Sequence, residues 1–405
     1  MDLDGEVIMV ESKAPILKDL LVVELASVLA GPSVGQWLAE LGATVIKVEN
    51  HKRGGDVTRS WKLPTEAAEE DRSSYFTAVN WGKLSIGLDL SCAEGKALLH
   101  RLVTQADIVL ASYKPGDATK LQTDAETLRA LNPRLIYADI TAYGHDDPRP
   151  GYDAIIQAEA GFTFMNGTPD GPPVKLPLAF MDVLAAHHLR EAILLALLKR
   201  HQTGRGEHVS TSLITAGLSS LANQATNYLV AGHIPQRIGS EHPNIVPYGT
   251  TYPCKDGRLV VLAVGNDVQF ERLCGVLGMD ELAVDERFRH NAGRVKRRKE
   301  LHALLGEGIA RVERDDLLAE LAKLKVPAGA VNDMSDALSL PQAAPLKLQG
   351  PELAGLRTAA ISGIAMQAGL SEPPHLCQHS SEVLARFLKM ESGAIAELRE
   401  NGTVG

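Results

Sequence analysis

Residues 21–48 read LVVELASVLAGPSVGQWLAELGATVIKV and decide the fold of the chain. Two short runs rich in β-branched residues, Leu21–Leu25 and Thr44–Val48, flank a stretch that is typical of a helix. The same alternation continues with strand-like runs at Asp107–Ala111 and Leu135–Ile140. Strands that alternate with helices pair in parallel, so the sequence predicts an α/β fold with a large, Rossmann-like parallel-sheet domain.

A long helix is predicted to begin near Asp182 and to end before Gly204, because glycine is frequent just beyond a helix C-terminus. Its apolar residues recur at helical spacing on one side, which indicates a packed central helix: Leu189, Ile193, Leu194 and Leu197.

The pattern changes between Tyr248 and Asn332. Two strand-like runs, Gly249–Pro253 and Arg258–Val264, flank a Lys-Asp-Gly turn and predict a hairpin followed by polar helices. We therefore predict a large domain over 1–225, a smaller α+β domain over 226–335, and a segment 336–405 that rejoins the large domain through a return connection and a helix over Ser380–Glu400.

Composition excludes several classes of protein. The 405 residues carry a net charge of −9, which disfavours a general attraction to nucleic acid or to an anionic membrane. The four cysteines are far apart, as in a reduced cytosolic protein. The acidic segment Met1–Lys13 differs from basic targeting signals, so the sequence predicts a cytoplasmic location.

The histidines do not indicate a metal site. His187 and His188 are adjacent on the predicted helix and point about 100° apart, and neither these nor His242 forms a HExxH pattern. We predict no metal. The basic run between Arg287 and Lys299 is interspersed with other residues and is typical of a solvated helix face.

Gly31-Pro32-Ser33-Val34-Gly35 is a formal GxSxG between a strand and a helix, the context of a hydrolase nucleophile. The alternative is a tight turn in which Ser33 starts the helix. No GxGxxG or GxxxxGK[ST] follows the first strand, which disfavours a dehydrogenase or a P-loop enzyme.

Taken in order, several segments of the chain resemble the class III CoA-transferases, a family that includes formyl-CoA, carnitine-type and dicarboxylate-type CoA-transferases and α-methylacyl-CoA racemase. The segments that carry the resemblance are Leu29–Pro32, Leu41–Glu49, Gly55–Arg59, Asn80–Lys83, Lys114–Gly116, Asn132–Tyr137, Gly151–Asp153, Thr203–Gly206, Asp256–Gly257 and Val326–Gly329.

This resemblance implies that Asp182 is a nucleophile that carries coenzyme A (CoA) as a covalent thioester. From the residues alone a plain helix N-cap is the better interpretation of Asp182, and the resemblance reverses that preference. Backbone N–H groups and the helix dipole are expected to keep it ionised at neutral pH. The family positions suggest contacts to CoA, and these fall on Leu29, Lys83, Tyr113, Lys114 and Tyr143, with Lys52 or Arg53 near a phosphate.

The resemblance further implies CoA and acyl-CoA as substrates with no prosthetic group, and a homodimer of two interlocked rings. Racemases of the family use a histidine at the position of Tyr152, and a phenol with an ordinary pKa near 10 is a poor base at neutral pH, which favours transfer. A small dicarboxylic acid is the predicted acceptor, with succinyl-CoA as a possible donor. A racemase is the alternative, and a hydrolase using Ser33 comes third.

Overall fold

The computed structural model describes residues 14–405, so Met1–Lys13, on which the cytoplasmic prediction depends, lies outside the described residues. The chain forms two compact units. The first contains residues 14–160, Pro177–Ala222 and Pro345–Gly405, and the second contains Gly161–Leu176 and Asn223–Ala344. The predicted bounds of 1–225, 226–335 and 336–405 therefore differ from these units at Gly161–Leu176, at 223–225 and at 336–344, all of which lie in the second unit.

The first unit is built on a six-stranded sheet of order β3-β2-β1-β4-β5-β6, in which every pair of neighbours is parallel. Its strands are β1 (Leu21–Glu24), β2 (Thr44–Glu49), β3 (Lys83–Gly87), β4 (Ile108–Ala111), β5 (Ile136–Thr141) and β6 (His208–Ser212). This confirms the predicted parallel sheet. The chain order reverses between β1 and β4, and in sheets of this kind ligands bind beyond the carboxyl ends of the strands at that point.

The four strands predicted from the sequence are those at the centre of the sheet, while β3 and β6 at its edges were missed. A central parallel strand is covered on both faces and is buried throughout, as β1 is, and three of its four residues are apolar. The edge strands are instead polar: β3 reads KLSIG and β6 reads HVSTS.

The helices surround this sheet or belong to the second unit. They are α1 (Ala30–Glu40), α2 (Ser74–Thr77), α3 (Ala93–Val103), α4 (Asp117–Leu121), α5 (Ala125–Leu131), α6 (Asp153–Glu159), α7 (Phe162–Met165), α8 (Phe180–Thr203), α9 (Leu213–Ser219), α10 (Ala222–Ala231), α11 (Asp267–Val276), α12 (Asp280–Val284), α13 (Asn291–Lys296), α14 (Arg298–Ile309), α15 (Arg314–Lys323), α16 (Met334–Ser339), α17 (Ser380–Leu388) and α18 (Ser392–Glu400). Among the described residues, none of these helices is both long and apolar enough to cross a bilayer.

The long helix predicted near Asp182 is α8, and it ends at Gly204, whose φ of 72° closes the helix in the left-handed region. Leu189 and Ile193 are buried as predicted, but Leu194 is exposed. The predicted final helix is instead two, because Lys389 adopts a φ of 55° between α17 and α18.

The second unit contains the predicted hairpin. Strands β7 (Tyr248–Pro253) and β8 (Leu259–Ala263) pair antiparallel, and β9 (Ala328–Ala330) joins the other side of β8. Helices α11, α12, α14 and α15 of this unit contribute to a separate apolar core, which includes Phe270 and Leu305.

The C-terminal segment belongs to the first unit. It contains a short antiparallel pair, β10 (Lys347–Gln349) and β11 (Ala354–Leu356). Its helix α17 contributes Val383 and Leu384 to the core beside α3, and Val404 forms an isolated bridge with Leu88 beyond the end of β3. The last residues of the chain thus cover the edge of the sheet.

Candidate active site

Asp182 lies in the first turn of α8, where its carboxylate meets the start of another helix. The helix begins at Phe180 after Ala179, so Asp182 is not the N-cap residue. Its side chain is half-buried and lies near the backbone N–H of Ala30, the first residue of α1, which acts to lower its pKa. Two helix N-termini therefore provide positive potential at one carboxylate.

That potential does not keep Asp182 fully ionised, contrary to the prediction from the sequence. Burial raises the pKa of Asp182 to about 7, and the nearby Asp153 carboxylate adds to the rise. The backbone N–H groups of Ala30 and Asp182 oppose it but are outweighed. A carboxyl group with this pKa is present in both protonation states near neutral pH.

Asp153 is fixed beside Asp182 by hydrogen bonds to two helices. It lies in the first turn of α6, and its Oδ1 accepts the backbone N–H of Met181 at 2.8 Å. Its Oδ2 accepts from Nε2 of Gln157 at 2.7 Å. Since Met181 directly precedes Asp182, Asp153 sets the position of the first turn of α8.

The phenol of Tyr75 belongs to the same group. Burial raises its pKa to about 12, and the charges of Asp182, Asp153 and Asp56 contribute in that order. The ring packs edge-on against Trp61 with centroids 5.1 Å apart. Tyr75 therefore stays protonated near neutral pH and can donate a hydrogen bond within this group of carboxylates.

The loop before α1 places the Ala30 N–H and is itself held by Asp56. Val28 has a φ of 72°, which is unfavourable for a β-branched residue. Both carboxylate oxygens of Asp56 accept the Val28 N–H, at 3.3 and 3.2 Å, and Asp56 also pairs with Lys47 at 2.9 Å. These contacts stabilise a backbone conformation that the chain would not adopt alone.

Lys83 lies below this loop, and its burial and contacts argue against its predicted role in CoA binding. Its side chain is fully buried, and its Nζ donates to Glu24 at 2.9 Å, to the carbonyl of Pro32 at 2.8 Å and to Asn80 at 2.8 Å. An ammonium group has three N–H donors, and all three are used here. Burial lowers the pKa of Lys83 to about 8 against the attraction of Glu24.

The GxSxG segment is a packing element rather than a hydrolase site. Ser33 is inside α1 rather than at its start, is buried, and accepts a hydrogen bond on Oγ from Arg190 at 2.6 Å. A guanidinium cannot take the hydroxyl proton, so Arg190 is no general base. At Gly35 a Cβ would collide with the Glu24 carboxylate, so glycine is required for the close approach of α1 to β1.

A cleft of about 520 Å³ opens at the carboxyl edge of the sheet, where the strand order reverses. The ends of β1 and β2 form its floor, and Asp56 and Tyr113 line its sides. Two exposed cations face it, Arg53 and Lys120. Arg53 and Tyr113 were predicted from the sequence as CoA contacts, whereas Lys120 was missed.

The other predicted CoA contacts are more scattered. Lys114 lines a second cavity of about 290 Å³, which shares Tyr113 with the cleft. Tyr143 lies under the Arg149 guanidinium, 4.0 Å from the ring centroid, and lines neither of these two cavities. Leu29 precedes Ala30 at the start of α1, and Lys52 pairs with Asp89.

Sequence reasoning missed Ala30, Tyr75, Asp153 and Asp56 as members of the site. Ala30, Asp56 and Asp153 lie inside segments that carry the family resemblance, so these segments could have indicated them. No such segment contains Tyr75, and only the fold brings it near Asp182.

A family model described as CoA-transferase family III matches residues 17–349. Among curated proteins, the chain is 40% identical to the succinate–glutarate CoA-transferase of Agrobacterium fabrum over 95% of this chain and 98% of that protein. It is 33% identical to the succinyl-CoA:glutarate CoA-transferase of Mus musculus, over 96% of this chain and 90% of that protein.

A similar solved structure is a CaiB/BaiF family protein from Brucella suis. It is 43% identical, superposes with a TM-score of 0.85, and covers 92% of this chain and 100% of its own. A protein from Mycobacterium tuberculosis is 30% identical with a TM-score of 0.77, over 91% of this chain and 99% of its own.

Proposed function

The chain belongs to CoA-transferase family III and is a CoA-transferase, and from that premise we propose that it moves CoA from an acyl-CoA donor to a small dicarboxylic acid through a covalent intermediate on Asp182. The observation that carries this proposal is the half-buried Asp182 carboxylate between the N-termini of α1 and α8.

The chemistry needs one carboxylate that alternates between nucleophile and acyl group. Asp182 attacks the thioester carbonyl of the donor, the carbon–sulfur bond breaks, and a mixed anhydride and CoA thiolate form. The thiolate then attacks the aspartyl carbonyl, which releases the donor acid and leaves an aspartyl-CoA thioester. The acceptor carboxylate reverses both steps, so no water is consumed.

The Ala30 N–H is the donor best placed to stabilise these steps. It lies close enough to the Asp182 carboxylate to lower its pKa, and an oxygen of that group carries the developing charge when the aspartyl carbonyl is attacked. Asp56 keeps this N–H in place through Val28, and Asp153 fixes the turn that carries Asp182. Both are positioning residues in this proposal.

The cleft at the carboxyl edge of the sheet suits the nucleotide part of CoA. Arg53 and Lys120 are exposed cations that can form charge-assisted hydrogen bonds with phosphates, and Tyr113 offers an aromatic wall. Asp56 lines the cleft, and the charges of both Asp56 and Asp182 raise the pKa of Tyr75. Asp56 and Asp182 are therefore both near Tyr75, so a ligand bound in the cleft can extend its thioester toward Asp182.

The dicarboxylic acceptor is supported by the names of the relatives, which include glutarate, oxalate and mesaconate CoA-transferases, several of them with succinyl-CoA as donor. The racemase alternative needs a second base opposite Asp182. Racemases of the family use a histidine as this base, and the corresponding residue here is Tyr152, which is 61% exposed and carries a phenol, a poor base at neutral pH.

The test is to trap the activated aspartate. Wild-type protein is incubated with succinyl-CoA and hydroxylamine, digested, and examined by mass spectrometry for a hydroxamate on the peptide that contains Asp182. We expect a succinyl-CoA-dependent hydroxamate in the wild type and in Ser33→Ala, and none in Asp182→Asn.

The controls separate the alternatives. An acyl group on Ser33 would overturn the proposal in favour of a hydrolase. Turnover of an acyl-CoA with no adduct at Asp182, together with exchange of its α-hydrogen for solvent deuterium, would overturn it in favour of a racemase.

A further inference from the structure

Two histidines and one aspartate converge at a place that the transfer chemistry does not use. His208 Nε2 lies 2.7 Å from one oxygen of Asp139, and His145 Nε2 lies 3.2 Å from the other. One ligand atom from each of the three residues lies within 4.8 Å of the others. Asp139 is almost fully buried, whereas both imidazoles reach solvent.

The sheet itself produces this arrangement. Tyr137 of β5 pairs with His208 of β6, and Asp139, two residues further along β5, points to the same side of the sheet as Tyr137. The Tyr137 ring packs edge-on against His208, with centroids 5.3 Å apart. His145 comes from the loop after β5 and completes the group from above, with its ring centroid 5.5 Å from that of His208.

We propose that Asp139, His145 and His208 bind a divalent transition-metal ion, with Zn²⁺ as the ion that best fits the ligands. Two imidazole nitrogens and one carboxylate oxygen are ligands that Zn²⁺ takes in sites where water occupies the fourth position. In a tetrahedral site, ligand bonds of about 2.0–2.2 Å place neighbouring ligand atoms roughly 3.3–3.6 Å apart. The 3.2 Å separation to His145 is close to that range, whereas the 2.7 Å contact to His208 is a hydrogen bond that would lengthen when the ion binds.

The surroundings leave room for the ion and its water. The three residues line the cavity of about 290 Å³ that also contains Tyr113 and Lys114. Among the described residues, the ion pairs of Asp139 are with these two histidines and with no lysine or arginine. The negative charge of Asp139 is therefore not already neutralised by a fixed cation.

A second group of possible ligands, Glu70, Glu352 and His375, differs on this point. The Arg72 guanidinium pairs with Glu70 at 2.8 Å and with Glu352 at 2.5 Å. A fixed positive charge between the carboxylates opposes a metal cation there. This group therefore provides an internal control.

A bound ion would connect β5, β6 and the loop that carries His145. The same loop contains Tyr143, which stacks under Arg149. Metal binding would thus fix the loop beside the cavity that shares Tyr113 with the larger cleft.

The experiment uses the full chain without a polyhistidine tag, stripped of metal with a chelator. Zn²⁺ is titrated in competition with a chromophoric chelator, and bound metal is counted by elemental analysis after dialysis. The variants are His145→Gln, which alters an exposed loop residue and should fold normally, His208→Gln, and the control His375→Gln.

We expect one tight Zn²⁺ site per wild-type chain, also present in His375→Gln. Loss of residues that only support a metal ligand weakens binding by roughly 10–100-fold, so loss of a ligand in His145→Gln or His208→Gln should weaken it at least as much. Equal affinity for Zn²⁺ in the wild type and in both folded variants would overturn the proposal. The three side chains would then form only a hydrogen-bonded group. Loss of the site only in His375→Gln would overturn it as well.

Discussion

At the scale of single residues, the position of Asp182 determines its protonation. The attacking form is the carboxylate, and the pKa of about 7 means that kcat/KM should rise as the pH increases through about 7 and level off above it. Asp153→Asn removes the neighbouring charge while its amide oxygen can still accept the Met181 N–H. We expect the profile to move to lower pH, by up to about one pH unit.

The measurement is kcat/KM against pH with succinyl-CoA as donor. Glu191→Gln is the matched control, because Glu191 is an acid on the same helix whose side chain is 72% exposed. A profile that does not move in Asp153→Asn would contradict the electrostatic role assigned to Asp153.

Lys83 offers a prediction about stability rather than binding. Lys83→Met leaves Glu24 with Lys47 as its remaining partner inside the protein. Removing one partner of a buried ion pair lowers the free energy of unfolding by about 3–5 kcal/mol, because the other charge is left buried without its partner. We expect a loss of free energy of unfolding of this order in urea denaturation and an unchanged CoA dissociation constant for the folded variant.

A stable Lys83→Met protein that binds CoA weakly would restore the original prediction that this lysine reaches the ligand. The sequence alone could not decide between these roles, because a lysine beside a family motif is typical of both. Glu24 and Pro32, which are distant in sequence, approach it only once the sheet has formed.

At the scale of elements, the end of α8 depends on one backbone conformation. Gly204 has a φ of 72° and open space around a hypothetical Cβ, so Gly204→Ala should cost about 1–2 kcal/mol of stability through backbone strain alone. Gly393 lies inside α18, also with open space, and Gly393→Ala should be neutral or should stabilise by up to about 1 kcal/mol.

Chemical denaturation of the two variants under the same conditions checks this pair. Equal effects would mean that the left-handed conformation at Gly204 is not needed to end the helix. The end of α8 was predictable because glycine marks it in the sequence. The break between α17 and α18 was not, because Lys389 carries no such mark.

At the scale of the whole molecule, α8 exposes apolar side chains that residues 14–405 of a single chain do not cover. Leu195 is 66% exposed and Leu198 is 64% exposed, one helical turn apart, with Leu194 beside them. Exposed apolar surface of this kind is typical of protein interfaces. It supports the predicted homodimer, in which a second copy of the chain would bury this face.

We expect the wild type to have the mass of a dimer in light scattering coupled to size exclusion, and Leu195→Glu with Leu198→Glu to shift it toward the monomer. Val284→Glu is the control, because Val284 is 74% exposed on the short helix α12. A monomeric wild type, or an unchanged dimer in the double variant, would contradict the expectation.

The sequence by itself determined the centre of the sheet, the hairpin of the second unit, the long helix and the family. These depend on local periodicity, on turn residues, and on short motifs that survive in order along the chain. The sequence also directed attention to Asp182, through the family resemblance.

Only the tertiary structure decided the state and the neighbours of that aspartate. The pKa of Asp182 depends on burial, on Asp153 and on the backbone N–H of Ala30, which is more than a hundred residues away along the chain. Lys83, Ser33 and the group of Asp139, His145 and His208 likewise depend on contacts between distant segments. Electrostatic environments are created by burial and juxtaposition, and local sequence patterns do not encode either one.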